Sequence, residues 1–170
     1  MKNLLTILTI MATTAMATAQ NGKAVTVKTT FSRETSVSNT INADAAIIWA
    51  LLTNASDMAR WNSTLVSVEG EIKVGNKIKL VSKLDPKRTF KLKVKELVAE
   101  KRLVWGDGQG SRVYTLTNKG NGTMAFSMVE KIGGLMFPLY AKMIPPFDPS
   151  FEQFAADLKK EAELIHNSKK

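Results

Sequence analysis

The stretch Ile41-Asn42-Ala43-Asp44-Ala45-Ala46-Ile47-Ile48-Trp49-Ala50-Leu51-Leu52, continued by Thr53-Asn54-Ala55-Ser56-Asp57-Met58-Ala59-Arg60-Trp61-Asn62, decides the fold. Ile48, Leu51 and Leu52 recur at helical spacing, which predicts a helix with one buried face. Asn42 or Asp44 can cap its start, because a short side-chain acceptor satisfies the first free amides. Asp57 is placed to cap a second, shorter helix. Trp61 then falls where the chain leaves that helix for a strand. A large aromatic there either closes the end of a core or lines the mouth of a pocket.

Upstream, Val25, Val27, Thr29, Phe31, Val37 and Thr40 predict one long first strand, bent near Ser32-Arg33-Glu34. Downstream, strands recur at the regular spacing of an antiparallel sheet, over residues 64–69, 77–84, 89–97, 102–106, 112–117 and 123–130. Turn-rich separators stand between them, such as Val74-Gly75-Asn76 and Gly106-Asp107-Gly108-Gln109-Gly110. In Arg88-Thr89-Phe90-Lys91-Leu92-Lys93-Val94-Lys95 the apolar and basic residues alternate strictly. Such alternation gives the sheet one dry face and one wet face. Gly133-Gly134 breaks the last strand, and the apolar run from Leu135 to Ile144 stops at Pro145-Pro146. Asp148 before Pro149 reads as an N-cap with proline at the first helical position. Phe151, Phe154, Leu158 and Leu164-Ile165 then form a helical apolar stripe. The expected class is α+β: a curved antiparallel sheet of about seven strands around a long C-terminal helix, with two short helices between strands one and two.

The 170 residues carry a net charge of +9 and are 44% hydrophobic, which suits one soluble domain. Residues 1–19 have the pattern of a secretory signal peptide: a short positive start, an apolar run from Leu4 to Met16, and Ala17-Thr18-Ala19 before Gln20. The run is too short and too rich in threonine for a good membrane span. The expected organisation is a signal peptide over 1–19 and one domain over 20–170. The chain has no cysteine, which excludes a disulfide scaffold and a lipid-anchored lipoprotein. Export without disulfides fits a bacterial periplasm or the medium.

In order and spacing, several weak motifs resemble the START-like helix-grip superfamily, the SRPBCC group of polyketide cyclase/dehydrase and lipid-transport type. They are Ile41-x-Ala43 leading to Ile48-Trp49, Asp57-x-x-x-Trp61-Asn62, Val68-x-Gly70 with Gly75, and Arg88-Thr89-Phe90 with Val94-x-Glu96. Leu103-Val104-Trp105-Gly106, Gly122-Thr123 and Phe154-x-x-Asp157-Leu158-Lys159 follow. The resemblance spans about Val25 to Ile165. It implies an apolar ligand held between the sheet and the last helix. It implies no single activity, because this fold carries carriers, cyclases, hydroxylase subunits and chaperone activators.

By alternation Leu80, Phe90, Leu92, Tyr114, Leu116, Met124 and Phe126 face inward, and Met136, Phe137, Tyr140 and Phe154 can close the other side. This set is either a solid core or a cavity lining; methionine favours an adaptable lining. Trp61 and Trp105 either flank the pocket mouth or plug one end of the sheet. Arg112 shares parity with Tyr114, so it either holds a carboxylate or enolate inside or sits at a wet strand end; Glu130 is a further inward candidate. The only histidine, His166, lies near the lysine-rich C-terminus, and without histidine or cysteine clusters no catalytic base, metal or cofactor is expected. Lys77, Lys79, Lys83, Lys91, Lys93 and Lys95 form a basic wet face that can meet an anionic membrane surface or stay solvated. No aromatic interleaves with them, which argues against nucleic acid. The reading that follows is an exported carrier of a small hydrophobic or amphipathic molecule (a lipid, isoprenoid or polyketide-like compound). A cyclase/dehydratase-type enzyme and a cationic envelope module are the alternatives.

Overall fold

Alternation dictates the sheet. In the computed structural model, which describes residues 21–169, eight antiparallel strands form one open sheet. They are β1 (Ala24–Lys28), β2 (Ser32–Ile41), β3 (Leu65–Glu69), β4 (Lys77–Ser82), β5 (Asp85–Val98), β6 (Arg102–Gly106), β7 (Gly110–Gly120) and β8 (Thr123–Gly133). Their spatial order is β1-β2-β8-β7-β6-β5-β4-β3. Helices α1 (Ala45–Thr53) and α2 (Ala55–Trp61) follow β2. A short helix α3 (Phe137–Tyr140) and a single 3-10 turn (Ala141–Met143) lead to the long helix α4 (Asp148–Ser168). This is the expected α+β helix-grip fold. The signal-peptide reading falls on residues outside those described.

The long first strand is two. The Thr29 amide donates to the Ser32 carbonyl at 2.8 Å and their hydroxyls meet at 2.9 Å, closing a hairpin turn. The Thr29 hydroxyl also reaches the Ser32 carbonyl at 3.4 Å, and such local side-chain bonding competes with a continuous strand, so the sheet has eight strands rather than seven. The caps also differ from expectation. Asp44 precedes α1 but makes no side-chain cap bond, and Asn54, not Asp57, precedes α2. Asp57 lies in the first turn of α2 and accepts two bonds from Arg60 instead. Phe147 precedes α4, and Asp148 is its first residue.

Helix α4 buries Phe151, Phe154, Ala155, Leu158 and Ala162 along one stripe. The small Ala155 lets the strand come close: the Asn39 amide nitrogen donates to the Ala155 carbonyl at 3.1 Å. Asp157 accepts from the Ser63 amide and hydroxyl at 2.7 and 2.6 Å, and Glu163 accepts from the Asn42 amide at 2.9 Å. Lys159 donates to the Thr40 carbonyl at 2.8 Å. These bonds fix α4 from Ala155 to Glu163 to β2, to the residue after it and to the turn after α2. That turn is itself made by Asn62, whose side-chain Oδ1 accepts from the Thr64 amide and hydroxyl. The helix-turn-tryptophan stretch is thus a clamp for α4.

Candidate functional site

Where α4 begins, the sheet and the helix part. A cavity of about 480 Å³ opens there between the upper ends of β4 to β8 and the first turn of α4. On the sheet side Leu80, Phe90, Leu92 and Trp105 give it an apolar wall, and Arg112 with Glu130 gives it a polar one. Phe147 and Ser150 cover it from the helix. Its rim carries Leu84, Asp85 and Arg88 from the β4–β5 hairpin and Tyr140 and Met143 from the segment before α4. The loop from Gly106 to Ser111 closes the remaining side. That loop is held by Lys95, whose amine donates to the Ser111 hydroxyl at 2.8 Å and the Asp107 carbonyl at 3.2 Å. A register shift between Val94 and Glu96 frees Lys95 from the ladder for this contact.

The polar wall comes from strand register. Arg112 of β7 stands opposite Glu130 of β8, which stands opposite Thr35 of β2; Arg33 of β2 is opposite Ile132. Arg112 bonds Glu130 through its guanidinium and lies over the Phe151 ring at 5.1 Å. Burial is the strongest single influence on Arg112 and lowers its pKa, but Glu130 and Tyr114 together outweigh it and the net direction is upward. Arg33 donates to the Ile144 carbonyl at 3.2 Å and lies over the Phe147 ring at 4.3 Å, so it ties the segment before α4 to the sheet. Burial draws its pKa below the ordinary value against the opposing pull of Glu130 and Asp148. One Arg33 nitrogen and the Tyr114 hydroxyl are buried without a well-formed hydrogen bond, the hydroxyl lying beside Arg112. Burial pushes Tyr114 up to about 12, against the nearby Arg112 charge. It therefore holds its proton at neutral pH and is no general base.

Of the sequence-predicted site residues, Leu80, Phe90, Leu92, Trp105, Arg112 and Tyr140 line this cavity. Tyr114, Leu116, Met124, Phe126 and Phe154 do not reach its wall; they belong to the filled core beneath α4 past its first turn. Trp61 and Trp105 are not companions. Trp61 is 7% exposed and meets Phe154 edge-on at 5.6 Å, whereas Trp105 meets Tyr114 edge-on at 5.0 Å and also faces the cavity. Met136 is 63% exposed, because buried Phe137 takes the inward position on α3. The wet-end reading of Arg112 is corrected: its side chain is 21% exposed and paired. Arg33, Leu84, Arg88, Met143, Phe147 and Ser150 were not foreseen. Parity held the signal for two of them, since Arg33 shares parity with inward Val37 and Ile41, and Arg88 with Phe90. Lys77, Lys79, Lys91 and Lys93 lie exposed on the outer face, with Lys77 opposite Lys93 and Lys79 opposite Lys91. Lys95 is committed to the loop, and Lys83 lies beyond the end of β4.

An open antiparallel sheet closed on a long C-terminal helix, with a half-apolar cavity between them, defines a START-like helix-grip protein. A family model described as polyketide cyclase / dehydrase and lipid transport matches residues 32–163, and the chain belongs to that family. A conserved protein of unknown function from Enterococcus faecalis has a similar structure (TM-score 0.62, 16% identity, 84% of this chain and 78% of that one). So does a START superfamily protein from Mycobacterium smegmatis (TM-score 0.57, 12% identity, 78% of this chain and 98% of that one). A Nitrosomonas europaea protein is likewise similar (TM-score 0.57, 11% identity, 85% of this chain and 99% of that one). At these identities the likeness speaks for the fold alone. No curated protein sequence matches the chain.

Proposed function

We propose that this protein is an exported, noncatalytic carrier of a small hydrophobic or amphipathic molecule. The observation that carries the reading is the cavity itself. Its volume of about 480 Å³ falls in the range of about 300–1,000 Å³ usual for small-molecule sites. Apolar walls with a few convergent polar groups are what such ligands require. The Arg112–Glu130 pair offers donors and acceptors to a polar end, while Phe90, Leu92 and Trp105 receive the apolar body. Export rests on the residue pattern of the first nineteen positions. The test is native mass spectrometry of the purified chain, followed by titration with a fluorescent fatty acid and an isoprenoid alcohol. A co-purifying lipid or pigment, or saturable uptake reduced about tenfold by Leu92→Trp, supports the reading. A bare polypeptide that takes up neither probe sinks it.

One observation favours the cyclase/dehydratase alternative: Arg112 lies on the cavity wall, where it can steady an enolate or carboxylate. Shaping a substrate in a dry cavity is then the main catalytic resource. On that reading Arg112→Ala abolishes turnover of a bound polyketide-like substrate while the circular dichroism spectrum is retained.

A further inference from the structure

The rim of the cavity is apolar at its tips and basic at its flanks, and both lips share that character. On one lip Leu135, Met136, Leu139 and Met143 are 86%, 63%, 75% and 81% exposed. Leu135 and Met136 lead into α3, Leu139 lies on it and Met143 ends the turn after it, while buried Phe137 anchors the inner side and packs edge-on against Tyr140 at 5.6 Å. The segment is therefore apolar on its outer side as well as its inner one. Scattered exposed apolar residues are ordinary; four within nine positions of one short segment are not. Across the cavity the β4–β5 hairpin presents Leu84, itself 42% exposed. Exposed Lys83, Lys87 and Arg88 flank Leu84, and exposed Lys142 stands between Leu139 and Met143. Residues 83–88 and 135–144 contain one acid between them, Asp85.

We infer that this mouth docks on an anionic phospholipid membrane. The outward leucines and methionines enter the boundary between headgroups and acyl chains, and the lysines and Arg88 meet acidic headgroups. Four cations against one acid is the complementarity that selects an anionic over a zwitterionic surface. The cavity then opens toward the bilayer, so an apolar ligand can pass without crossing water. That loading role rests on the carrier reading; the docking itself does not. The surface differs from the outer lysine face of β4 and β5, which has basic residues and no apolar tips.

The chain contains no cysteine, so Leu139→Cys and Lys93→Cys each accept one environment-sensitive nitrobenzoxadiazole label. The full chain is titrated with phosphatidylglycerol/phosphatidylcholine vesicles. The expected result is a several-fold fluorescence rise with a blue shift at position 139, quenched by brominated acyl chains, reduced by salt and absent with pure phosphatidylcholine. Position 93 stays unchanged. No rise at 139, or an equal rise at 93, overturns the proposal. A label at 139 already shielded before lipid is added also overturns it: shielding that grows with protein concentration means a second copy covers the lip, and shielding lost on removing residues 1–19 means that segment does. Leu135→Glu with Leu139→Glu should cut vesicle binding about tenfold at unchanged Tm, since both side chains are exposed. Uptake of a fluorescent fatty acid without vesicles reports the cavity separately. Uptake with a silent position 139 defeats the docking and leaves the carrier standing.

Discussion

The first turn of α4 and the rest of that helix meet the same sheet in opposite ways, and so divide the molecule into an open half and a filled half. Past its first turn α4 lies on a filled interior: Phe154 has Trp61, Tyr114 and Phe126 at centroid distances of 5.6, 5.7 and 6.2 Å. The first turn borders a cavity of about 480 Å³. The difference lies in what clamps the helix. Asn39, Ser63, Asn42 and Thr40 hold Ala155, Asp157, Glu163 and Lys159 close to the sheet. The first turn is instead held at a distance by the segment from Gly134 to Phe147, which Arg33 fastens to β2. One half supplies the stability that lets the other stay open.

The comparison breaks most sharply at Phe154. Truncating it in a close-packed aromatic cluster leaves a void, and Phe154→Ala should cost about 4 kcal/mol in urea unfolding. Adding volume separates the halves as well. Leu116→Trp forces atoms into a filled site and should cost about 3 kcal/mol. Leu92→Trp has the cavity to expand into and should cost under about 1 kcal/mol. Equal costs for the two tryptophans would mean that the upper half is filled too.

Next in size is the polar wall. Glu130→Ala leaves the Arg112 guanidinium partly buried without its partner. The full loss for a deeply buried pair is about 3–5 kcal/mol; with 21% of the Arg112 side chain exposed, about 2 kcal/mol is expected. The double variant Arg112→Met, Glu130→Leu should recover most of it, because the pair also bears a desolvation cost. Thermal denaturation of the two variants side by side checks this.

Tyr114 stands at the border between the halves and gives a pH signature. Its ordinary pKa is 10.0, and burial pushes it up to about 12. Between those values the folded chain binds more protons than the unfolded one, so stability falls as pH rises. The contribution is fully present below about pH 10 and is lost on the way to about 12. Tyr114→Phe should flatten that part of the stability profile. At pH 7 it should cost under about 1 kcal/mol, since the buried hydroxyl makes no well-formed hydrogen bond beside Arg112.

How far the molecule was legible from its residues follows the same division. Strict alternation in β4 and β5, the stripe of α4 and the helix-turn-tryptophan stretch carried the architecture, because burial on one face dictates each of them. Alternation also told which residues face inward, but not whether anything fills the space they face. Tyr114 and Trp105 share a sheet face and only Trp105 touches the cavity; Phe126 and Phe90 are both inward, and only Phe90 lines it. That distinction depends on how far α4 stands from the sheet, which long-range bonds such as Asn39 to Ala155 decide and no local pattern records. Arg33 escaped notice because a bend was read where a hairpin turn lies.

The smallest effect lies on the outside of the open half. Lys77 opposes Lys93 and Lys79 opposes Lys91, and directly opposed like charges weaken a strand pair. Lys79 has partial relief from Glu69 at 3.7 Å, while Lys93 has no ion-pair partner among the described residues. Lys93→Glu replaces the repulsion with an attraction to Lys77 and should raise stability by a few tenths of a kcal/mol, an advantage that shrinks as salt screens it. The chain would then be more stable with a charge it does not carry. If the gain is found and vesicle binding is unchanged, the lysines serve solubility and the guarding of a wet sheet face. If vesicle binding falls with Lys93→Glu, the lysine face shares the docking with the mouth, and the open half meets the membrane on two sides.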